Sequence, residues 1–418
     1  MRGAARTVLP VAVCLITRIV LLLWVLKVLY VAGPDVTSDV EVIYQGWYEV
    51  LKTGTFPLND VTWQYPPAAA LAILSPGVLP FLGYAKAFFV VSLICDALVF
   101  GLLMYAGRHP ERPARSLRGV WVWVLGVPLL GPTAYARYDL MVTAVAVAAL
   151  LAAARRPALA GVLTGFGAML KVWPLLLLAG MRRGSVTRTS WTAAGATVGG
   201  LLLVFGAAMP GALAFLGFQR DRGTEVESLG ALVFHVARHH GWEGQVLLNY
   251  GSVEFLGPYV PLVSRAALAL TAMAFAWLLI WRLRAREFTA STAADAAFTA
   301  VLLFTTTSRV ISPQYMIWLV GLAAVCLVFR SSRMTLPACL VLVATGVTYL
   351  EFPIWFADVV ASSPRGIALL VVRNGLLVAA TLLACRRLWI STVPGAARRG
   401  TGDASPDQPL RDRELLGS

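Results

Sequence analysis

Three aspartates, Asp35, Asp39 and Asp60, lie in one polar stretch of the chain that covers residues 33 to 67. The stretch is rich in tyrosine and tryptophan, and an aromatic ring beside a carboxylate suits the recognition of a sugar, whose C–H face stacks on the ring. Such rings are equally typical of the aromatic belt at a membrane surface, and a loop carboxylate is often only solvated. Asp39 differs from the other two, because Ser38 can cap a helix over SDVEVIY that would hold Asp39 in its first turn.

Two more positions combine charge with apolar surroundings. In TAYARYD, Arg137 and Asp139 stand at the outer end of an apolar run, where they form either a structural salt bridge or, through the planar fork of arginine, a phosphate contact. Lys171 stands in GAMLKVWP, within apolar sequence. A lysine inside a membrane is costly and marks a functional site by default, although its long side chain can also reach the surface. Lys171 is the one charge that the sequence singles out inside the membrane.

Two later segments place polar residues beside apolar helices. The segment FLGFQRDRGTEVESLGALV is strongly charged, and TTTSRVISPQYMIWLVGL brings Arg309 and Gln314 to the outer end of a span. Arg309 is a positive charge on the side where positive charges are few, which favours an anionic partner there. His235, His239 and Glu243 have the spacing of metal ligands on one helix face. A glycine interrupts that helix before Glu243, so no metal site is predicted.

The elements that must position these residues are membrane spans. Of the 418 residues, 58% are hydrophobic and only 13% are charged, and the apolar residues form long runs rather than periodic stripes. Runs of about 18 or more apolar residues indicate transmembrane helices. The formal net charge of +14 comes from short basic clusters between the runs, which is the pattern of cytoplasmic loops and excludes a nucleic-acid-binding stripe. The sequence therefore predicts an all-α, multi-pass membrane protein.

The basic clusters also thread the chain through the bilayer. We expect about 10 to 12 membrane segments, cytoplasmic termini and the acidic stretches outside. The segment AAALAILSPGVLPFLG must begin and end outside, so a broken, re-entrant or surface-lying helix is predicted there. Residues 157–181 are long enough for a single span, but arginines flank both ends, so the charge rule favours a hairpin that turns at LKVWP. One membrane domain is expected over residues 1–390, followed by a disordered cytoplasmic tail at 391–418.

Six short motifs follow one another along the chain: the aspartate after the first span, WQYPPAAALAILSP, ARYD, LKVWP, QRDRGTEVESL and SPQYMIWL. Together and in this order, they resemble the pattern of glycosyltransferase family 87. The resemblance covers roughly residues 10 to 385. It implies a GT-C fold with half-helices and external loops, and the activity of a polyprenol-phosphate-mannose-dependent α-mannosyltransferase of the actinobacterial type. The expected location is the plasma membrane, with the active site on the outer face.

The resemblance also implies roles for individual residues. Asp39 matches the first-loop aspartate that acts as general base. The family pattern places a tyrosine four residues after this aspartate, whereas Tyr44 is five residues after Asp39. Asp35 and Asp60 therefore remain as alternatives. An acceptor hydroxyl on a glycolipid, lipoglycan or glycan would attack the anomeric carbon with inversion, and cationic side chains would hold the departing phosphate, so no cofactor or metal is expected. The substrate-binding residues expected are Tyr44, Tyr65, Arg137, Asp139, Lys171, Gln219, Arg222, Glu227, Arg309 and Gln314.

Three other interpretations remain open at this point. A transporter or flippase for a lipid-linked sugar predicts charges near mid-membrane on several helices and repeat symmetry. A non-catalytic member of the same fold predicts that Asp39 can be replaced without effect. An arabinosyl or other pentosyl donor in place of mannose would leave the same residues in the same roles.

Overall fold

The computed structural model describes residues 2–30, 32–58, 60, 62–108, 115–215, 223–249 and 251–395. Gln219, Arg222 and the end of the predicted tail, residues 396–418, lie outside the described residues, so the expectations for them stay predictions. The last described helix ends at Thr392, two residues beyond the predicted domain boundary.

Most of the described chain is helical, because an apolar run in lipid must satisfy every backbone N–H and C=O within its own segment. The helices are α1 Arg2–Val25, α2 Gln45–Leu51, α3 Ala69–Leu74, α4 Tyr84–Arg108, α5 Arg118–Leu129, α6 Asp139–Ala152, α7 Pro157–Leu170, α8 Ser185–Ala208, α9 Ala231–Ala237, α10 Val260–Arg284, α11 Thr292–Thr307, α12 Tyr315–Val328, α13 Thr335–Tyr349, α14 Phe356–Val360 and α15 Pro364–Thr392.

Six stretches within the described residues are long and apolar enough to cross a membrane. They are Thr7–Val25, Tyr84–Arg108, Ser185–Ala208, Val260–Arg284, Thr335–Ile354 and Pro364–Thr392. Shorter apolar helices of 10 to 17 residues pack between them, among them α5, α6, α7, α11 and α12. The prediction of a multi-pass helical membrane protein is confirmed, and the shorter helices are the ones that line the site described below.

The broken helix after the first polar stretch is present as predicted. Helix α3 has only six residues and continues as a single 3₁₀ turn over Ser75–Val78. The break falls at Pro76, because proline has no N–H to continue the helical ladder. The hydroxyl of Tyr84 at the start of α4 donates to the carbonyl of Ile73, 3.0 Å away, and so ties the half-helix to the next span.

Residues 157–181 form the hairpin that the charge rule favours. Helix α7 ends at Leu170, Lys171 is extended, and a 3₁₀ segment follows over Trp173–Gly180. Leu178 and Met181 at the end of this segment pack in one apolar cluster with Ala160 from the start of α7. The chain has therefore returned to the end at which it entered, and Lys171 stands at the turn.

The polar ends of the helices sort onto two opposite ends of the bundle. At one of them, called here the arginine-rich end, arginines donate to backbone carbonyls of neighbouring loops: Arg330 to Arg115 at 3.0 Å, and also Arg183 to Arg282 and Arg387 to Arg333. The other, called the carboxylate-rich end, holds the aspartate stretch, the turn between α5 and α6, the segment between α8 and α10, and the turn between α11 and α12. Which of the two ends faces the cytoplasm stays a prediction of the threading.

The carboxylate-rich end also contains a small sheet. Strand β3, Ser252–Leu256, pairs antiparallel with β1, Thr224–Glu225, on one side and with β2, Gln245–Asn249, on the other, in the order β1-β3-β2. Its apolar face packs with α9 around Phe234 and Phe255. The sheet is an addition to the all-helical architecture that the apolar runs predicted.

His235 of α9 lies beneath this sheet and is fully buried. Its Nε2 lies 2.8 Å from the carbonyl oxygen of Val226, so Nε2–H is the donor and Nδ1 accepts from the hydroxyl of Ser362 at 2.8 Å. The second histidine, His239, has its Nε2 2.7 Å from the carbonyl of Ser362. These contacts make the two histidines structural, and burial lowers the pKa of His235.

The expectation that Lys171 is the one charge within the membrane is wrong. Arg18 of α1 pairs with Asp96 of α4 at 2.7 Å, and Arg373 of α15 pairs with Glu351, beyond the end of α13, at 2.8 Å. All four side chains are buried. Each residue appears alone in its own apolar run, and the sequence could not show that its partner lies on a distant helix.

Candidate active site

Asp39 begins a π-helical turn that runs to Tyr44. A π turn closes a hydrogen bond between residues five apart instead of four, so Asp39 and Tyr44 lie in one turn of the chain. The predicted cap is wrong: the hydroxyl of Ser38 donates back to the carbonyl of Asp35 at 2.7 Å and makes no capping bond.

The carboxylate of Asp39 forms an ion pair with Arg137 from the turn that precedes α6. The Nη2 atom of Arg137 lies 2.8 Å from Asp39 Oδ2. The same guanidinium donates from Nη1 to the carbonyls of Val36 at 3.0 Å and Ala136 at 2.8 Å. The side chain of Asp39 keeps 34% of its surface exposed, whereas Arg137 keeps 10%. The arginine is therefore fixed on three sides and presents a carboxylate that remains accessible.

Lys171, at the turn of the hairpin, forms a second ion pair with Asp139, which lies two residues after Arg137. Its Nζ lies 2.6 Å from Asp139 Oδ1, and the indole N–H of Trp318 donates to the same oxygen at 2.7 Å. Four ring centroids lie 5.0 to 5.7 Å from the ammonium, those of Tyr65, Tyr138, Tyr315 and Trp318. An ammonium in such a cage is held by the negative faces of the rings, which explains how a lysine at 13% exposure is tolerated at this place.

Asp39, Arg137, Asp139 and Lys171 form one cluster, called here the ion-pair quartet. Tyr138 stands between the two pairs, and its ring packs against those of Tyr44 at 6.0 Å and Tyr65 at 5.2 Å. Two carboxylates and two cations make the quartet neutral, as a set of partly buried charges must be. Six of the predicted site residues thus meet at the carboxylate-rich end: Asp39, Tyr44, Tyr65, Arg137, Asp139 and Lys171.

The two alternative aspartates lie outside this cluster and serve local structure. Asp35 accepts from the backbone N–H and hydroxyl of Thr37 and pairs with Lys27 at 2.9 Å. Asp60 accepts from the backbone N–H and hydroxyl of Thr62 and from the indole of Trp47 at 2.7 Å. In both, partial burial raises the pKa, but these hydrogen bonds outweigh it and the pKa of each carboxyl falls below its usual value. Such carboxylates are weaker proton acceptors.

Glu227 was expected among the substrate-binding residues, but it does not join the quartet. It is 4% exposed and lies beside Glu351 and Arg373, under the small sheet. Burial and the neighbouring carboxyl of Glu351 raise the pKa of Glu227 well above the usual value. Local sequence did not reveal this environment, because Arg373 and Glu351 belong to helices that follow much later in the chain.

Arg309 and Gln314 lie on the connection that links the sheet to the quartet. The carbonyl of Arg309 accepts from the backbone N–H of Glu225 at 3.1 Å, and the hydroxyl of Ser312 donates to the Glu225 carboxylate at 2.8 Å. Gln314 is half-buried, directly before Tyr315, which belongs to the cage around Lys171. The structure therefore places these two residues next to the site, with the cage contact made by their neighbour.

Three of the four aromatic residues of the cage, Tyr138, Tyr315 and Trp318, were not among the predicted site residues. Tyr138 stands between Arg137 and Asp139, and Trp318 lies three residues after Tyr315, one turn further along α12. The spacing of three residues puts Tyr315 and Trp318 on one helix face, where their rings stack at 4.0 Å. This spacing was a readable signal, but an aromatic pair in a span is also typical of ordinary helix packing.

Comparison with known proteins gives a family match and two similar solved structures. The model of glycosyltransferase family 87 matches residues 63–313. A solved structure of ArnT from Cupriavidus metallidurans in the apo state is similar over 94% of this chain and 78% of its own, with 14% identity and a TM-score of 0.48. A structure of the same protein bound to undecaprenyl phosphate is similar over 99% and 83%, with 14% identity and a TM-score of 0.43. No curated protein sequence matches the chain.

Proposed function

The chain belongs to glycosyltransferase family 87, and from this premise we propose that it transfers a mannosyl residue from a polyprenyl-phosphate donor to an acceptor hydroxyl at the outer face of the plasma membrane. The membrane spans suit a donor that is itself anchored in the bilayer. The single observation that carries the proposal is the accessible carboxylate of Asp39, held by Arg137 at 2.8 Å beside the Asp139–Lys171 pair.

Asp39 is the proposed general base. In the transfer, the acceptor oxygen forms a bond to the anomeric carbon, the bond from that carbon to the phosphate oxygen breaks, and the hydroxyl proton passes to Asp39. A single displacement of this kind inverts the anomeric centre. The carboxylate suits the role because it is fixed by an arginine and still reaches solvent.

The charges of the ion-pair quartet fit this reaction step by step. The leaving polyprenyl phosphate changes from a diester with one negative charge to a monoester with about two. When Asp39 accepts the proton, its negative charge disappears, and Arg137 is left with an uncompensated positive charge. The quartet thus becomes cationic as the phosphate becomes more anionic, which is the differential stabilisation that catalysis requires.

Lys171 is the second proposed contact of the phosphate. The ammonium is held at the turn of the hairpin by Asp139 and four aromatic rings, at the end of the bundle where a lipid headgroup would lie. The same rings offer apolar faces for the first carbons of the polyprenyl chain and for the sugar. Arginine and lysine supply all the positive charge in this proposal, so the proposed reaction needs no metal.

One observation favours a transporter: charged residues lie within or next to membrane segments. They are Arg18, Asp96, Glu351 and Arg373. These charges are closed into ion pairs between buried side chains. A translocation pathway needs polar groups that face a water-filled cavity. The buried pairs therefore fit helix fixation better than transport, and the transferase remains the proposal.

The test measures transfer from radiolabelled polyprenyl-phosphate mannose in membranes that contain equal amounts of the wild-type chain and of Asp39→Asn. We expect the near-isosteric amide to lower the rate by about 100-fold or more, which is the usual size of a general-base contribution. The matched controls Asp35→Asn and Asp60→Asn should stay within about threefold of the wild type, because these carboxylates serve their local turns.

The outcomes separate the interpretations. Equal transfer by the wild type and Asp39→Asn removes Asp39 from the mechanism, and loss in one of the two control variants names the base instead. Transfer from a pentosyl but not a mannosyl polyprenyl phosphate keeps the mechanism and changes the sugar. Failure with both donors, in membranes where the acceptor glycolipids are present, contradicts the proposal and favours a non-catalytic or transport role.

A further inference from the structure

Asp96, in the middle of α4, has a role that the transfer chemistry leaves unexplained. Its carboxylate is 1% exposed and accepts four hydrogen bonds. They come from Arg18 Nε at 2.7 Å and Nη2 at 3.0 Å, from the indole of Trp123 at 2.6 Å, and from the hydroxyl of Tyr135 at 2.6 Å. A buried carboxylate with four donors fixes the position of every group that donates to it.

Arg18 neutralises this carboxylate and also donates a hydrogen bond to a backbone carbonyl of α5 that has no helical partner. Pro128 lies within α5, and a proline has no N–H for the carbonyl four residues earlier. That carbonyl belongs to Val124, and Arg18 Nη1 donates to it at 2.8 Å. Arg18 therefore has a structural explanation, in which one guanidinium serves both the buried carboxylate and the carbonyl that the proline leaves open.

The bond from Tyr135 leads to the active site. Tyr135 lies in the turn between α5 and α6, two residues before Arg137. Helix α4 holds this tyrosine at two points, because Asp96 accepts from its hydroxyl and Ser92, one helical turn earlier, donates to its carbonyl at 3.3 Å. The side chain and the backbone of Tyr135 are thus both fixed to a membrane span, while Arg137 extends from the same turn to Asp39.

We propose that Asp96 is a positioning residue: through Tyr135 it sets the turn that carries Arg137 and Asp139, and so aligns Arg137 with the catalytic carboxylate. The inference rests on the proposed function, because it assigns Asp96 a role in the transfer of a sugar. Asp96 itself touches none of the quartet residues through the hydrogen bonds described here, so its effect on the reaction is indirect.

The structure offers a matched pair of variants for the test. Tyr135→Phe and Trp123→Phe each remove one neutral hydrogen bond to the same carboxylate, at 2.6 Å in both cases. Trp123 lies on α5 and Tyr135 on the turn of the active site. We expect Tyr135→Phe to lower kcat about tenfold at nearly constant KM for the donor, because a misplaced arginine weakens the transition state more than substrate binding. Trp123→Phe should leave kcat per folded molecule within about twofold.

A second readout excludes a merely structural effect. Since Tyr135 acts through Arg137, Tyr135→Phe should cause no further loss of kcat in the background of Arg137→Gln. Equal kcat losses in Tyr135→Phe and Trp123→Phe, or full additivity of Tyr135→Phe with Arg137→Gln, would overturn the inference. Asp39→Asn, assayed in the same membranes, reports separately on the proposed function: normal activity there contradicts Asp39 as the base, whatever the tyrosine variant does.

Discussion

The guanidinium of Arg137 touches the carboxylate of Asp39 and two backbone carbonyls of different segments at once, with all three distances between 2.8 and 3.0 Å. Two separate nitrogen atoms of the planar guanidinium serve these three acceptors, a spread of donors that the single ammonium of lysine does not offer. The first prediction therefore concerns Arg137→Lys, which keeps the charge and loses the fork.

We expect Arg137→Lys to lower kcat roughly tenfold, and Arg137→Gln, which also removes the charge, to lower it about 100-fold, in the range found when one donor to a developing anion is lost. Single-turnover transfer rates with saturating donor provide the measurement. Lysine and glutamine variants with equal rates would show that the positive charge contributes nothing, and would contradict the charge argument for the leaving phosphate.

The second prediction separates stability from activity at the Asp139–Lys171 pair. Lys171→Met leaves the Asp139 carboxylate, which is 1% exposed, without its cation. Loss of one partner of a buried pair costs about 3–5 kcal/mol, whereas replacing both partners is often neutral. We expect Lys171→Met to lower the melting temperature, and the double variant Lys171→Met with Asp139→Asn to recover most of it, since asparagine still accepts from Trp318.

Although its stability returns, the double variant should transfer sugar at no more than about 1% of the wild-type rate, because the second cation for the phosphate is missing. Thermal unfolding in detergent and transfer in membranes are measured on the same preparations. Recovery of both stability and transfer in the double variant would make the pair structural and remove Lys171 from the site.

Local signals predicted much of this molecule. Pro76 marked the broken helix, and the arginines around residues 157–181 predicted the hairpin. Both are signals that a single segment carries by itself. The cost of a lysine in apolar sequence led to Lys171, and the motif order led to Asp39 and Arg137.

Ion pairs between residues on distant helices could not be predicted from the sequence. Arg18 and Asp96 each interrupt an apolar run, and nothing in either run shows that they meet at 2.7 Å. The surroundings of Glu227 were not predicted for the same reason: its motif suggested a substrate-binding residue, whereas the structure places it beside Glu351 and Arg373. Side-chain environments of this kind depend on how helices pack, and the period of a sequence does not contain that information.

The third prediction concerns the orientation of the chain in the membrane. The positive-inside rule assigns the arginine-rich end to the cytoplasm, which places the ion-pair quartet outside. Thr53 and Ser331 are exposed at opposite ends of the bundle. We expect an impermeant maleimide to label Thr53→Cys in intact cells and Ser331→Cys only after permeabilisation, with the wild type and its five native cysteines as the control. The reverse pattern would put the quartet in the cytoplasm and contradict transfer at the outer face.

The fourth prediction is that transfer does not depend on a divalent cation. The positive charge that meets the phosphate comes from Arg137 and Lys171 in the proposal, and among the described residues no three His, Cys, Asp or Glu side chains are grouped as metal ligands. We expect the rate in millimolar EDTA to stay within about twofold of the untreated rate. A large loss that added Mg²⁺ or Mn²⁺ restores would require a metal at the phosphate and contradict this part of the mechanism.

The last prediction concerns the two buried carboxyls beside Arg373. Arg373 Nη2 lies 2.8 Å from Glu351 Oε1, and both side chains are fully buried. Arg373 and Asn374 also donate to the backbone carbonyl of Glu227, at 2.7 and 3.3 Å. One cation faces two carboxyls, so burial requires one proton as well. Because Glu351 has the arginine, the proton belongs to Glu227, whose pKa burial and the neighbouring carboxyl raise.

The two glutamines should therefore differ. Glu227→Gln resembles the protonated acid and should leave the melting temperature near the wild-type value at pH 5, whereas Glu351→Gln removes the carboxylate that accepts from Arg373 and should cost about 3 kcal/mol or more. A raised pKa in the folded state stabilises the protein fully below the unfolded value of about 4.3, and this contribution is lost as pH rises towards the folded pKa. As the pH is raised from 5 to 8, the melting temperature of the wild type should therefore fall relative to that of Glu227→Gln. A constant difference across this range, or equal damage from both glutamines, would show that Glu227 is ionised in the folded protein.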